Sequence, residues 1–220
     1  MNSPVIDRAS FIRANTTIMA PPLVPEVKLH LAHEAVPIWQ KTEEELGEMG
    51  LPPPFWAFAW AGGQALARHI LDHGELVGDK SVVDLASGSG LVGIAAKLAG
   101  ARSALACDID RFSIAAIAIN SALNGVEIDA VSDDLLLAPP PAVDVILVGD
   151  LFYEQALAAR CFGWLKLAKS QGCKVMIGDP GRSYLPRDHL VMIAEYSVPV
   201  SRDLEDAEIK RSGVWTIRNC

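Results

Sequence analysis

The sequence predicts an α/β fold: a doubly wound, mostly parallel sheet preceded by an N-terminal strand/helix extension. Three observations predict it. An apolar, β-branched run at Val82-Val83 ends in the small-residue turn Ala86-Ser87-Gly88-Ser89-Gly90, and a helical pattern (Leu91, Ile94, Ala95, Leu98) begins at once. Twenty residues after Gly88, a second apolar strand (103 to 107) ends in an acid, Asp108. Strand runs and helical runs then keep alternating towards the C-terminus.

Length and composition set the frame. The 220 residues suit one domain, placed at 51–220, behind an extension at 1–50. Half the residues are apolar, enough for a sizeable core. No run of 18 apolar residues exists, so no membrane partner is expected. The opening MNSPVIDRAS lacks the basic and apolar stretches of a secretion leader. Cys107, Cys161, Cys173 and Cys220 show no C-x-x-C spacing and read as free thiols, so a cytoplasmic protein is expected. A net charge of −8 argues against nucleic acid and suits a basic or lysine-bearing partner.

The elements follow in order. Residues 1–25 are proline-punctuated and weakly patterned, which predicts an extended arm. Val27, Leu29 and Leu31 alternate with Lys28 and His30 as in a half-buried strand. Pro37 suits the first turn of a helix running to Leu46. Leu51-Pro52-Pro53-Pro54 forbids helix and marks the passage into the main domain. Phe55, Trp56, Phe58 and Trp60 crowd together, mostly as a hydrophobic plug, and Gly62-Gly63 opens a helix over 64–71. Beyond Asp108 the pattern predicts a helix over 112–123, a strand over 128–131, the most apolar strand over 143–148, a helix over 154–169 and a strand over 174–177. Two antiparallel strands, 196–200 and 214–217, close the chain. The spacing of His30 and His33, and of His69 and His73, calls for no metal.

Two cofactors compete for the glycine turn. Gly88-Ser89-Gly90-Leu91-Val92-Gly93 is a literal G-x-G-x-x-G, the mark of a dinucleotide site. Asp84, four residues before Gly88, opposes that reading, since a carboxylate repels a pyrophosphate. S-adenosylmethionine, with an amine, a positive sulfur and no phosphate, suits the acid. The D-x-A-x-G-x-G run followed by C-D-I-D matches the class I methyltransferase pattern. The cofactor set is therefore Trp60, Asp84, Ala86, Ser87, Gly88, Gly90, Asp108, Ile109 and Asp133. Asp108 is placed for the ribose hydroxyls, Asp133 for an adenine amino group and Trp60 as a wall of the site. S-adenosylhomocysteine is the product. A second site follows the most apolar strand, where Asp150 points into the same crevice.

Asp150-Leu151-Phe152-Tyr153 resembles the D-x-F-Y tetrad of seven-stranded (class I) protein lysine methyltransferases. The runs at 58–66 and 178–182 are similar to the branch acting on the electron transfer flavoprotein β subunit. The resemblance covers about 50 to 218. It implies a seven-stranded, Rossmann-like sheet, S-adenosylmethionine as cofactor and a protein lysine as substrate. Asp150 and Tyr153 are then the catalytic pair, with Phe152, Asp179 and Arg182 on the substrate side. Asp150 orients and captures the amine rather than acting as a strong base, because a carboxylate favours the ammonium. A monomer is expected. The rivals are a ribosomal-protein or small-molecule N-methyltransferase and a non-catalytic S-adenosylmethionine-binding regulatory module.

Overall fold

In the computed structural model, which describes residues 7–32, 53–200 and 209–219, the N-terminal arm is not extended. It forms helix α1 (Arg8–Asn15), capped by the Asp7 carboxylate on the Ser10 amide, and a small antiparallel pair, β1 (Thr17–Met19) and β2 (Leu29–Leu31). Weak helical patterning hid α1, because its packing rests largely on one fully buried residue, Ile12. The helix expected from Pro37 to Leu46, and His33, lie outside the described residues.

The main sheet and its helices follow. They are α2 (Ala61–Asp72), β3 (Ser81–Leu85), α3 (Leu91–Leu98), β4 (Ser103–Cys107), α4 (Arg111–Leu123), β5 (Asp129–Val131), β6 (Val145–Gly149), α5 (Gln155–Ser170), β7 (Lys174–Asp179), β8 (Leu190–Pro199) and β9 (Ile209–Ile217). The sheet has seven strands in the order β5-β4-β3-β6-β7-β9-β8, with only β9 antiparallel to its neighbours. The last two strands are longer than their alternating runs predict.

Period-two burial explains the double winding. Val82, Val145, Leu147 and Met176 point to one face, covered by Ala65, Leu66 and Ile70 of α2 and by Val92 and Ala96 of α3. Val83, Ile146, Val148 and Ile177 point to the other, covered by Cys161, Phe162 and Leu165 of α5. A strand buried on both faces has no polar side to show, and β6 reads as an unbroken apolar run. From β3 the chain first builds outward through β4 and β5, then returns to place β6 on the other side of β3. This switch opens a crevice at the carboxyl ends of β3 and β6.

The arm is joined to the domain by polar side chains. Asn120 of α4 and Asn124, which caps its C-terminus, accept from the backbone amides of His30 (2.8 Å) and Lys28 (2.9 Å), much as a neighbouring strand would. Ile12 enters a cluster with Trp56, Phe58, Phe112 and Ala116.

Candidate active site

A cleft of about 790 Å³ lies at the switch point. It is lined from the ends of β3 (Leu85, Ala86, Gly88), β4 (Asp108, Ile109, Asp110), β5 (Asp133 to Leu136) and β6 (Asp150, Tyr153). Trp60, Phe55, Arg8, Arg160 and Arg182 also line it.

The β3 turn is tight. Ala86 (φ 55°) and Gly88 (φ 53°) are both left-handed, a conformation that disfavours a side chain at residue 86 and leaves Gly88 open towards the cleft. The Gly88 amide donates to Asp108 Oδ2 (2.9 Å), and the Asp110 amide to Asp108 Oδ1 (2.9 Å). Two backbone donors thus fix that carboxylate at the cleft wall, while burial raises its pKa above the ordinary carboxylate value. Asp110 caps α4 through the Phe112 amide (2.8 Å) and is pushed by burial to about 6.

Three of the expected cofactor contacts, Asp84, Ser87 and Gly90, do not line the cleft as residues 86, 88 and 108 do. Asp84 is fully buried, and its Oδ2 accepts from Gly93 N (2.8 Å), in the first turn of α3. Burial pushes its carboxyl to about 7. Asp84 thus holds the helix start from inside and does not line the cleft. It still bears on the cofactor, since an amide already taken by a carboxylate is closed to a pyrophosphate. Ser87 does not line the cleft either: its hydroxyl donates to the Asp84 carbonyl (2.7 Å). Gly90 (φ 83°) shapes the turn against Ile117. Trp60 lines the wall as expected, with its Nε1 donating to the Phe55 carbonyl (3.0 Å). Ile109 is 73% exposed at the rim, and Asp133 also lines the cleft.

At the end of β6, Asp150 adopts a left-handed backbone (φ 54°) with its side chain 8% exposed. Its Oδ2 accepts from Gly63 N (2.8 Å), and its Oδ1 from Arg182 Nε (3.1 Å) and Nη2 (2.8 Å). Glycine is required at Gly62, where a Cβ would overlap the Gly178 carbonyl and come within 2.6 Å of Asp150 Oδ2. That close approach brings the α2 N-terminus onto the carboxylate. Burial pushes Asp150 to about 6, with Arg182 opposing the shift.

Tyr153 is half-exposed and stands 6.0 Å, ring to ring, from Phe55. Phe55 in turn lies 6.1 Å from Trp60, so three aromatic rings edge the cleft. Arg182 lies 5.6 Å from the Trp60 ring centre.

Two expected substrate contacts are corrected. Phe152 is fully buried in the core under α5 and lines nothing. In the tetrad it is the residue that anchors the loop. Asp179 is also fully buried, its Oδ1 accepting from Gly181 N and Arg182 N (2.7 Å each), so it shapes the turn that carries Arg182. Arg182 lines the cleft, but its guanidinium is turned onto Asp150. The sequence reading missed Arg8, Asp110, Leu135, Leu136 and Arg160 as lining residues. Asp110 was visible as the second acid of C-D-I-D; Arg8 carried no local mark.

The residues fit S-adenosylmethionine. The carboxylate of Asp108 is fixed at the cleft wall, Leu135 and Leu136 give apolar surface beside Asp133, and the α3 N-terminus is occupied by Asp84.

Comparison with known proteins agrees. The family described as ribosomal protein L11 methyltransferase (PrmA) matches residues 65–149. The electron transfer flavoprotein β-subunit lysine methyltransferase of Danio rerio is 36% identical over 222 residues, covering 97% of this chain and 84% of its own. That of Homo sapiens is 35% identical over 213 residues, covering 94% and 80%. Among solved structures, the ribosomal protein L11 methylase of Lactobacillus delbrueckii subsp. bulgaricus has a TM-score of 0.52 at 21% identity, covering 74% of this chain and 81% of its own, a likeness of fold. The family match ends one residue before Asp150, so it spans the cofactor half without the tetrad.

Proposed function

The chain belongs to the electron transfer flavoprotein β-subunit lysine methyltransferases, and on that premise we propose that its protein substrate is the electron transfer flavoprotein β subunit, with Asp150 and Tyr153 receiving the lysine. It is an S-adenosylmethionine-dependent protein-lysine N-methyltransferase. The single observation that carries the assignment of the lysine site is the tetrad 150–153 at the end of β6. It puts an acceptor (Asp150) and an aromatic ring (Tyr153) in the same cleft as Asp108.

When bound, S-adenosylmethionine would supply a methyl on positive sulfur as the electrophile for the lysine lone pair, with the C–S electron pair going to a neutral thioether leaving group. The chain's own residues hold the two reactants and exclude water. Asp108 takes the ribose hydroxyls, with its carboxylate already aligned by Gly88 N and Asp110 N. Asp133 accepts from the adenine amino group. Phe55, Trp60 and Tyr153 face the lysine, whose alkyl stem suits apolar rings and whose head group suits their negative faces. Asp150 accepts a hydrogen bond from the lysine N–H and so aims the lone pair.

Incubation of purified electron transfer flavoprotein β subunit with tritiated S-adenosylmethionine, followed by mass mapping, tests this directly. Label on lysine is the expected result. Label absent from that subunit but present on a ribosomal protein would move the substrate to the rival class.

A further inference from the structure

Both carboxylate oxygens of Asp150 are engaged. Oδ1 is gripped by two nitrogens of Arg182, and Oδ2 takes the Gly63 amide. The two-nitrogen grip is the strong, directional form of a guanidinium–carboxylate pair. Arg182 is itself held in place: its backbone amide donates to Asp179, and its guanidinium lies against Trp60.

This arrangement bears on the chemistry of the lysine. A lysine amine has an ordinary pKa of about 10.4 and must lose a proton before it can attack. A buried, unpaired carboxylate beside it would favour the ammonium and hold it unreactive. We infer that Arg182 is a positioning residue acting through Asp150: it cancels the carboxylate's charge while leaving acceptor capacity on the oxygens, so the lysine is aimed without being held as a cation. This rests on Asp150 being the lysine-facing group.

The other charged groups around Asp150 fit. From the β7 turn come Arg182 and Asp179 and from the start of α2 the Gly63 amide, while Tyr153 and Asp108 line the same cleft. Asp179 Oδ2 is buried with no hydrogen-bond partner. Burial raises the Asp179 pKa, and its Oδ1 is held by the two backbone amides of the turn.

The test is the pH profile of single-turnover methylation of the electron transfer flavoprotein β subunit with saturating cofactor, in wild type, Arg182→Gln, Arg182→Lys and Asp150→Asn/Arg182→Gln. With Gln, the acid limb moves to higher pH by at least about one unit, and the deficit shrinks as pH rises. Arg182→Lys keeps the charge, so its limb stays within about half a unit of wild type whatever the loss in rate. The double variant has no charge at either position, and its limb returns towards wild type. An Arg182→Gln loss that is the same factor at every pH overturns the inference, as does a limb displaced equally in Arg182→Lys. Failure of the wild-type enzyme to methylate lysine would instead strike at the function proposed above. If Arg182→Gln does not fold, Arg182→Met, which also removes the charge and keeps the side-chain length, takes its place with the same expected shift of the acid limb.

Discussion

Asp108 and Asp150 end two strands of the same sheet and face the same cleft, and burial raises both their pKa values, yet they are held by different means. Asp108 is aligned by two backbone amides, from Gly88 and from Asp110 two residues on. Asp150 is held by one backbone amide, 87 residues away, and by a side-chain cation, 32 residues away. Backbone donors are set by the turn and resist substitution. A side-chain partner carries a full charge, so it also fixes the charge presented to a ligand. The cofactor end is therefore a rigid socket, whereas at the lysine end charge has to be managed.

The comparison makes graded predictions. The largest effect belongs to Asp150→Asn. One amide oxygen cannot serve both Gly63 and Arg182 as two carboxylate oxygens do, and the NH₂ turns a donor towards one of them. A displacement of even 1 Å costs about a hundredfold in rate, so turnover falls by at least that. S-adenosylmethionine affinity, measured by calorimetry, changes by less than about threefold. Next is Asp108→Ala, which weakens cofactor binding by about 1.5–3 kcal/mol, the range for hydrogen bonds to a charged group.

A third prediction concerns the frame beneath the cofactor end. Asp84 has a folded-state pKa of about 7 against 3.8 as its ordinary value. The folded state thus binds the extra proton between those values, and stability falls as pH rises through 7. One such group gives a slope approaching about 1.4 kcal/mol per pH unit. Asp84→Asn keeps an acceptor for Gly93 and cannot ionise, so denaturant titrations from pH 4 to 8 should show a flatter profile than wild type. An unchanged slope would place the titration elsewhere. The smallest effect is Ala86→Gly: relief of a left-handed alanine, less glycine's entropy cost, should stabilise by about 0.5–1 kcal/mol in urea unfolding.

The same contrast explains what was legible in the sequence. The sheet could be read because β6 is apolar on both faces and β3 and β4 are largely so, and the cofactor turn because glycines and an acid at fixed local spacing are its whole mechanism. Asp150 was found as the acid ending the most apolar strand. Its partners were not, since the approach of Gly63 depends on a glycine-to-glycine contact between α2 and β7, visible only in three dimensions. Asp84 and Phe152 were read as ligand contacts because a motif records position but not the direction of a side chain. Both point inward, one to Gly93 and one to the core. Helix α1 and Arg8 went unseen because a helix that buries a single isoleucine has almost no periodicity.

The most direct test of this division is to measure cofactor affinity and the single-turnover methylation rate, at saturating cofactor, for Asp108→Ala and Asp150→Asn side by side. The division predicts a crossed result: Asp108→Ala loses affinity and keeps most of its rate once saturated, while Asp150→Asn keeps affinity and loses the rate. If both variants lose affinity and rate in the same proportion, the two acids form one site and the account of a cofactor socket beside a separate lysine end is wrong.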